Sequence, residues 1–408
     1  MHRFQHIAPD ELLLDSFRLG KLVYESGFRP KHAISIWRGG TPVGLGVDAY
    51  FRLQGTFIHH TTITTSSYTG VREQGDVVVK GLEHLVRSVC REDGLLIIDD
   101  VYESGNTIKT IVATLRERAR QNAPEEIRIA TVHRKPSRSR YDELPVHHLY
   151  DVDGDVWLDY PHELADLMID GDPDQRLIRQ KSPEIHAILR GEEPPIPSAP
   201  ADAEGVEEGY VYVTARELLH DAFRLGVRIA ETGYRPDFLV ALWPGGVFAG
   251  LALHEVFKYW DRLDRSGGDG GRPDHIALNT TRTHLTYRTQ ILGLDYLLER
   301  VARHHQILIV DTGFQSGRMA SDVVNTLKEG LRRNLDLRKV RIAAVYWKRD
   351  DSSTWTVRPF RTVPDFYLKA MSRYVILPHA VYRFRAPRRE LGRDNPDLAA
   401  LLFPRDET

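Results

Sequence analysis

The 408-residue chain holds a single cysteine, Cys90, so no disulfide can form within it and one thiol makes no metal centre. A reducing compartment follows as the default. An excess of one charge is also missing: 55 Lys and Arg stand against 57 Asp and Glu, leaving a formal net charge of −2. That balance argues against a globally basic nucleic-acid binder. No apolar run of about 18 residues, the length a membrane-spanning helix needs, occurs anywhere. The start, Met1-His2-Arg3-Phe4-Gln5-His6, has no apolar signal core. What is present is ordinary globular composition, 41% hydrophobic and 27% charged, in a chain longer than one compact core usually holds. The expectation is a cytoplasmic protein of two domains, with neither nucleic acid nor membrane as partner.

Self-similarity decides the architecture. Residues 15–51, beginning Asp15-Ser16-Phe17-Arg18-Leu19-Gly20, align with residues 221–257 at a constant offset of 206, and 15 of the 37 positions are identical. The similarity resumes at Leu96-Ile97-Ile98-Asp99 against Leu308-Ile309-Val310-Asp311, and again at Tyr160-Pro161-His162 against Leu377-Pro378-His379. A period this long is no solenoid repeat; it means one domain written twice. Between the copies, Gly191 to Pro200 carries four prolines and reads as an extended linker. The domains are expected at 1–190 and 210–408, joined by 191–209.

Within a copy, short continuous apolar strands alternate with helices. A helix around 11–26 precedes strand His32–Ile36, and a Thr/Ser-rich stretch (61–67) precedes a helix expected over 79–91. Strand Leu95–Ile98, a helix through about 120 and strand 126–132 follow. This order predicts an α/β fold, a doubly wound, mainly parallel sheet covered by helices on both faces, present twice.

The most informative segment is Leu95-Leu96-Ile97-Ile98-Asp99-Asp100-Val101-Tyr102-Glu103-Ser104-Gly105-Asn106-Thr107. Apolar residues run out to two adjacent carboxylates, and a small-residue turn then opens a helix. Ligands of parallel sheets bind at the carboxyl ends of strands, and such a turn offers N–H groups and hydroxyls to a phosphate. The carboxylates would then face sugar hydroxyls or Mg²⁺. The same residues also suit an ordinary helix start, where Asp and Ser are favoured anyway.

The segment resembles the 5-phosphoribosyl-1-pyrophosphate (PRPP) motif of type I phosphoribosyltransferases. Further stretches of the first copy agree in order over about residues 15–165. Arg38-Gly39-Gly40 resembles the family's pyrophosphate loop, and Ser67-Tyr68 the start of its flexible closing loop. Lys135, Trp157 and Leu158 resemble the base-recognition elements of the purine branch, which takes hypoxanthine, xanthine and guanine. The resemblance implies a Mg²⁺-dependent enzyme that transfers the phosphoribosyl group to a purine-like base and releases pyrophosphate. In it Asp99, Asp100, Glu103, Ser104, Gly105, Asn106 and Thr107 would hold PRPP together with the Arg38-Gly39-Gly40 loop. Asp99 and Asp100 would also face the metal. Arg38 would steady the leaving group, and Glu103 would take the N7 proton of the base. His162 and the His147-His148 pair are expected to be structural. Transfer to a non-standard base, or a non-catalytic PRPP- or nucleotide-sensing regulator, are the alternative readings.

In the second copy Arg38 becomes Pro244, Asp100 becomes Thr312, Glu103 becomes Gln315, and Asn106-Thr107 becomes Arg318-Met319. A side-chain amide is no general base. The span from Tyr68 to Asp99 is 31 positions, against 24 from Tyr287 to Asp311. The second copy is therefore expected to be inactive, serving as an intramolecular partner in place of a second subunit. Lys348 and Tyr374, which match Lys135 and Trp157, leave it the means to bind a base. A further homo-oligomer is left open.

Overall fold

The computed structural model describes all residues except 1–2, 68–76, 170, 193–209, 264–272, 283–288, 349–362, 384–390, 394 and 404–408. Most of the expected linker and Tyr68 of the closing loop therefore lie outside the described residues.

The first half opens with β1 (Arg3–His6) and α1 (Pro9–Glu25), then β2 (His32–Trp37), α2 (Gly40–Leu53), β3 (His59–Ser67) and β4 (Val77–Lys80). The short α3 (Glu83–Ser88), β5 (Leu95–Tyr102), α4 (Asn106–Ala119), β6 (Ile127–Arg134), β7 (Val146–Asp151) and β8 (Val156–Asp159) follow. Six strands form one sheet in the order β4-β3-β2-β5-β6-β7, parallel except for the β3–β4 pair. Strands β2 and β5 are apolar along most of their length because helices cover both sides of the sheet. β1 and β8 form a separate two-stranded ribbon.

The helix expected over 79–91 is a strand and a shorter helix instead. Three successive valines, Val77 to Val79, favour the extended chain. Gly81 then turns it at φ +88°, leaving only Glu83–Ser88 for α3.

Helices α5 (Arg176–Lys181) and α6 (Pro183–Arg190) close the first half. The second half repeats the order with β9 (Tyr210–Tyr212), α7 (Ala215–Glu231), β10 (Phe238–Trp243), α8 (Val247–Leu263), β11 (Asp274–Arg282) and β12 (Thr289–Leu292). It continues with α9 (Asp295–Arg300), β13 (Ile307–Phe314), α10 (Arg318–Leu331), β14 (Val340–Lys348), β15 (Phe366–Met371) and β16 (Tyr374–Ile376). Its sheet order, β12-β11-β10-β13-β14-β15, and its β9–β16 ribbon match the first half strand for strand. In the ribbons Phe4 pairs with Trp157 and Tyr210 with Tyr374, the equivalence the sequence alignment implies.

The halves share a core. One hydrophobic cluster joins Trp37, Leu45, Leu164, Ile178, Ile185 and Leu189 of the first half to α7, α8 and β10 of the second. Packing therefore crosses the boundary expected at 190. Polar contacts follow the same seam: Thr62 Oγ1 donates to the Ala277 carbonyl at 2.8 Å, and the Asn279 side chain donates to the His60 carbonyl. The tryptophans that end β2 and β10 meet imidazoles across it, with ring centroids 5.7 Å apart for Trp37–His275 and 4.4 Å for His60–Trp243. Those two imidazoles hold equivalent register positions, His60 opposite Ala33 and His275 opposite Leu239. The seam is thus nearly two-fold.

Candidate active site

Strand β5 carries its apolar side chains into the core and ends on Asp99 and Asp100. Asp100 is buried and Asp99 half-buried. Burial, and for Asp99 also the neighbouring carboxylate, pushes both above the ordinary aspartate range. Local donors restrain them: Asp99 Oδ1 accepts the Asp100 N–H at 3.1 Å, and Asp100 Oδ1 accepts the Val101 N–H at 2.8 Å. The Gly40 N–H also favours the ionised form of Asp99, and the loop after β2 lies directly against the acidic pair. Gly40 must be glycine for that approach, because a Cβ would collide with the Ile98 carbonyl and lie 2.9 Å from Asp99 Cα.

Beyond the pair, Ser104-Gly105-Asn106-Thr107 forms the turn into α4. Gly105 sits at φ +76°, a conformation L side chains avoid, and Ser104 Oγ accepts the Asn106 N–H at 3.3 Å. Asn106 and Thr107 begin the helix, where free N–H groups point outward. The residues expected to hold a sugar phosphate thus lie together at the carboxyl end of the sheet. Glu103 stands beside them, its Oε1 accepting Lys135 Nζ at 3.2 Å and Arg138 Nη1 at 2.6 Å. Lys135 is buried. Its own N–H bonds the Tyr102 carbonyl at 2.8 Å, so β5 and the segment after β6 are laced together under Glu103.

The remaining expected residues fall differently. Trp157 is 47% exposed, its ring 6.5 Å from that of Phe4, whereas the Leu158 side chain is buried in the core. Ser67 ends β3, paired with Val77, and Tyr68 lies outside the described residues. His162 is buried, and burial holds its imidazole neutral, down near pKa 3. Arg38 does not reach out over the acidic pair. Its guanidinium bonds Glu255 of α8, in the other half, and lies 3.6 Å from Asp166. From there its charge still favours the ionised form of Asp100.

Four residues that pattern reading passed over complete the arrangement. Glu255 is fully buried and also accepts Lys258 Nζ at 2.9 Å and the N–H groups of Leu164 and Ala165 at 3.0 and 2.8 Å. Burial alone would raise its carboxyl, yet His254, Arg38 and Lys258 together hold it well below the usual range. Tyr160 donates to the Asp100 carbonyl at 3.1 Å and meets His133 Nδ1 at 2.9 Å, propping the strand end. Lys181 ties down the 159–163 segment through Asp159 at 2.6 Å and the carbonyls of Tyr160 and Glu163. Burial, with Asp100 nearby, pushes Glu163 up to about 8. The available sequence signal was the repeat of Tyr160-Pro161-His162 as Leu377-Pro378-His379, which marked the segment without naming its contacts.

In the second half the same strand end is electrically quieter. Thr312 replaces the second carboxylate and donates to the Gly245 carbonyl. Gln315 Nε2 donates to the Tyr374 hydroxyl at 3.0 Å, and Lys348 Nζ lies 4.0 Å from the centroid of that ring. Trp37–Arg38 and Trp243–Pro244 are both cis, and only the first of these loops carries a guanidinium.

No family model and no curated protein matches the chain. Among solved structures it is similar to a hypothetical protein from Neisseria gonorrhoeae with bound ppGpp, at 21% identity over 44% of this chain and 98% of that one, TM-score 0.34. It is similar to a purine phosphoribosyltransferase from Pyrococcus horikoshii at 18% identity, covering 40% and 95%, TM-score 0.32. A hypoxanthine phosphoribosyltransferase from Staphylococcus aureus matches at 23% identity, covering 35% and 74%, TM-score 0.28. At these identities and scores, the chemistry of the site rests on its own residues.

No helix among the described residues is long and apolar enough to cross a membrane.

Two predictions follow from the geometry. Glu255→Gln leaves the part-buried Arg38 and the buried Lys258 with only the exposed Asp166 as counter-charge, 3.6 and 3.8 Å away, so urea unfolding should show a loss of about 3 kcal/mol. Glu163 binds its proton more tightly when folded, so its contribution is full below its ordinary value of 4.5 and falls as pH rises through about 8. Between pH 5 and pH 9 the wild type should lose more stability than Glu163→Gln, and parallel pH profiles for the two proteins would contradict this.

Proposed function

We propose that the first half is a PRPP-dependent phosphoribosyltransferase acting on a purine-like base. The observation that carries the reading is the Asp99–Asp100 pair, one half-buried and one buried, set between the Gly39-Gly40 loop and the Ser104–Thr107 helix start. Adjacent buried carboxylates destabilise a fold unless something binds them, and here the neighbouring backbone is shaped for phosphate. One surface thus offers acceptors to a diol and donors to an anion, which is the dual character of a phosphorylated sugar.

A divalent ion suits this donor set. Among the described residues no group of three or more His, Cys, Asp or Glu could hold a metal. Mg²⁺ commonly takes one or two carboxylates and completes its shell with water and substrate phosphates. Asp99 and Asp100 would hold it, and when bound it would neutralise charge on the pyrophosphate.

The chain's own residues supply the rest. In the reaction the C1–O bond to pyrophosphate breaks and a C1–N bond to the base forms. As one imidazole-ring nitrogen of the base attacks C1, the proton on the other, N7, passes to a Glu103 carboxylate oxygen, which Lys135 and Arg138 hold in place. Helix-start N–H groups at 105–107 take the sugar phosphate. The Gly39-Gly40 backbone approaches the pyrophosphate, with Arg38 adding positive field from its seat on Glu255. Trp157 offers an exposed ring to the base. The second half, lacking the second carboxylate, the acid and the guanidinium, does no transfer and occupies the position of a second subunit.

The test is pyrophosphate release from PRPP with Mg²⁺ and a panel of purine and other bases. Base-dependent release is expected, and none with any base would overturn the enzyme reading in favour of a ligand-sensing role. Glu103→Gln should lower turnover at least about 10²-fold, the usual scale for an acid–base group.

A further inference from the structure

A cavity of about 950 Å³ opens at the carboxyl ends of the second sheet. Its volume lies in the range of small-molecule sites. The second half lines it with Trp243, Gln315, Lys348 and Tyr374, and the first half closes it with Lys31 and Arg52. It therefore belongs to neither half alone.

Its chemistry is lopsided. Lys31, Arg52 and Lys348 face one carboxylate among the described lining residues, that of Asp311. Lys31 pairs with Asp93 and Arg52 with Asp48, but an ammonium has three N–H groups and a guanidinium five, so donors remain. Trp243 is 1% exposed, and its Nε1–H has no acceptor among the described residues. Around these groups the walls mix aromatic and aliphatic side chains with Asn279, Thr280 and four histidines. Gln315, already bonded to Tyr374 through its nitrogen, keeps a carbonyl oxygen to accept from a ligand edge. Such a site suits a flat heterocycle with hydrogen-bonding edges joined to an anion.

We propose that this cavity binds a nucleoside monophosphate without transforming it, its base on the Gln315–Tyr374–Lys348 side and its phosphate toward Lys31 and Arg52. Binding without turnover follows from the residues: Gln315 cannot accept a proton, and Pro244 supplies no cation. The inference does not depend on transfer occurring in the first half.

Isothermal titration of the full chain with AMP, GMP, IMP and UMP, each without PRPP and Mg²⁺, provides the test. At least one should bind, and Lys348→Ala and Tyr374→Ala should each weaken that binding about 10-fold or more. Tyr374 is 42% exposed, so its replacement leaves the core intact. Lys135→Ala, at the equivalent place in the first half, should leave this binding in place. Absence of binding by all four, or binding lost in Lys135→Ala and untouched in both second-half variants, would overturn the proposal. Pyrophosphate release measured separately tells its failure apart from failure of the transferase reading.

Discussion

The Glu255 carboxylate lies out of solvent in the second half, where an unpaired charge would cost several kcal/mol. It is tolerated because four donors meet it: Arg38, Lys258, and the N–H groups of Leu164 and Ala165. Three of the four come from the first half, and they lie on two separate segments, the loop after β2 and the chain beyond β8. One acceptor therefore fixes both segments to α8. The loop in turn touches Asp99 through Gly40, and Tyr160, just before the anchored segment, supports the Asp100 carbonyl. Cutting the halves apart would leave the carboxylate with Lys258 alone of its four donors and release both walls of the acidic site. The apolar cluster shared across the seam supplies affinity between the halves, whereas the carboxylate supplies register, because hydrogen bonds to one buried acceptor tolerate little sliding.

The near two-fold seam makes the asymmetry informative. The position equivalent to Glu255 is Ala49, and the one equivalent to Arg38 is Pro244. The pair exists in one direction only. A carboxylate at 49 facing Pro244 would be buried without a partner, so the two absences are mutually required. The second half holds the first half's loop, and the first half makes no matching claim. Where the first half closes on the second it offers basic side chains instead, Lys31 and Arg52 at the mouth of the cavity. The halves thus share one backbone plan while their charge runs in opposite senses.

Much of this was legible in the sequence because it is local. Leu95–Ile98 is apolar on successive positions, so it had to be a strand buried on both faces. Gly105 after Ser104 marked a turn that only a left-handed residue completes, and the repeat fixed the equivalence of Trp157 with Tyr374. The segment 79–91 suggests a helix because Leu82, Leu85 and Val86 have helical spacing, but the β-branched run just before them binds β3. Arg38 was placed correctly in its loop, but its partner is 217 residues away, and no spacing rule links such positions. Glu255 itself sits in a helix that reads as amphipathic and buried; a lone glutamate there signals a partner without naming it. Glu163 has the same difficulty, since its raised affinity for protons comes from tertiary burial.

The electrostatics of the two strand ends separate fold from chemistry. Both ends have the same backbone path, the same αL glycine before the following helix and a glycine pressed against the preceding strand. Thr312 shows what the fold alone requires there: its hydroxyl donates to the Gly245 carbonyl and leaves no second charge to bury. Asp100 in the same place must be held against burial, its charge in turn pushes Asp99 up, and Glu163 nearby adds a third acidic group. A stability optimum would carry the threonine in both halves. That the first half keeps three crowded carboxyls, and sets a guanidinium close enough to ease one of them, is a cost with no structural return. Such a cost makes sense where the carboxylates meet something from solution.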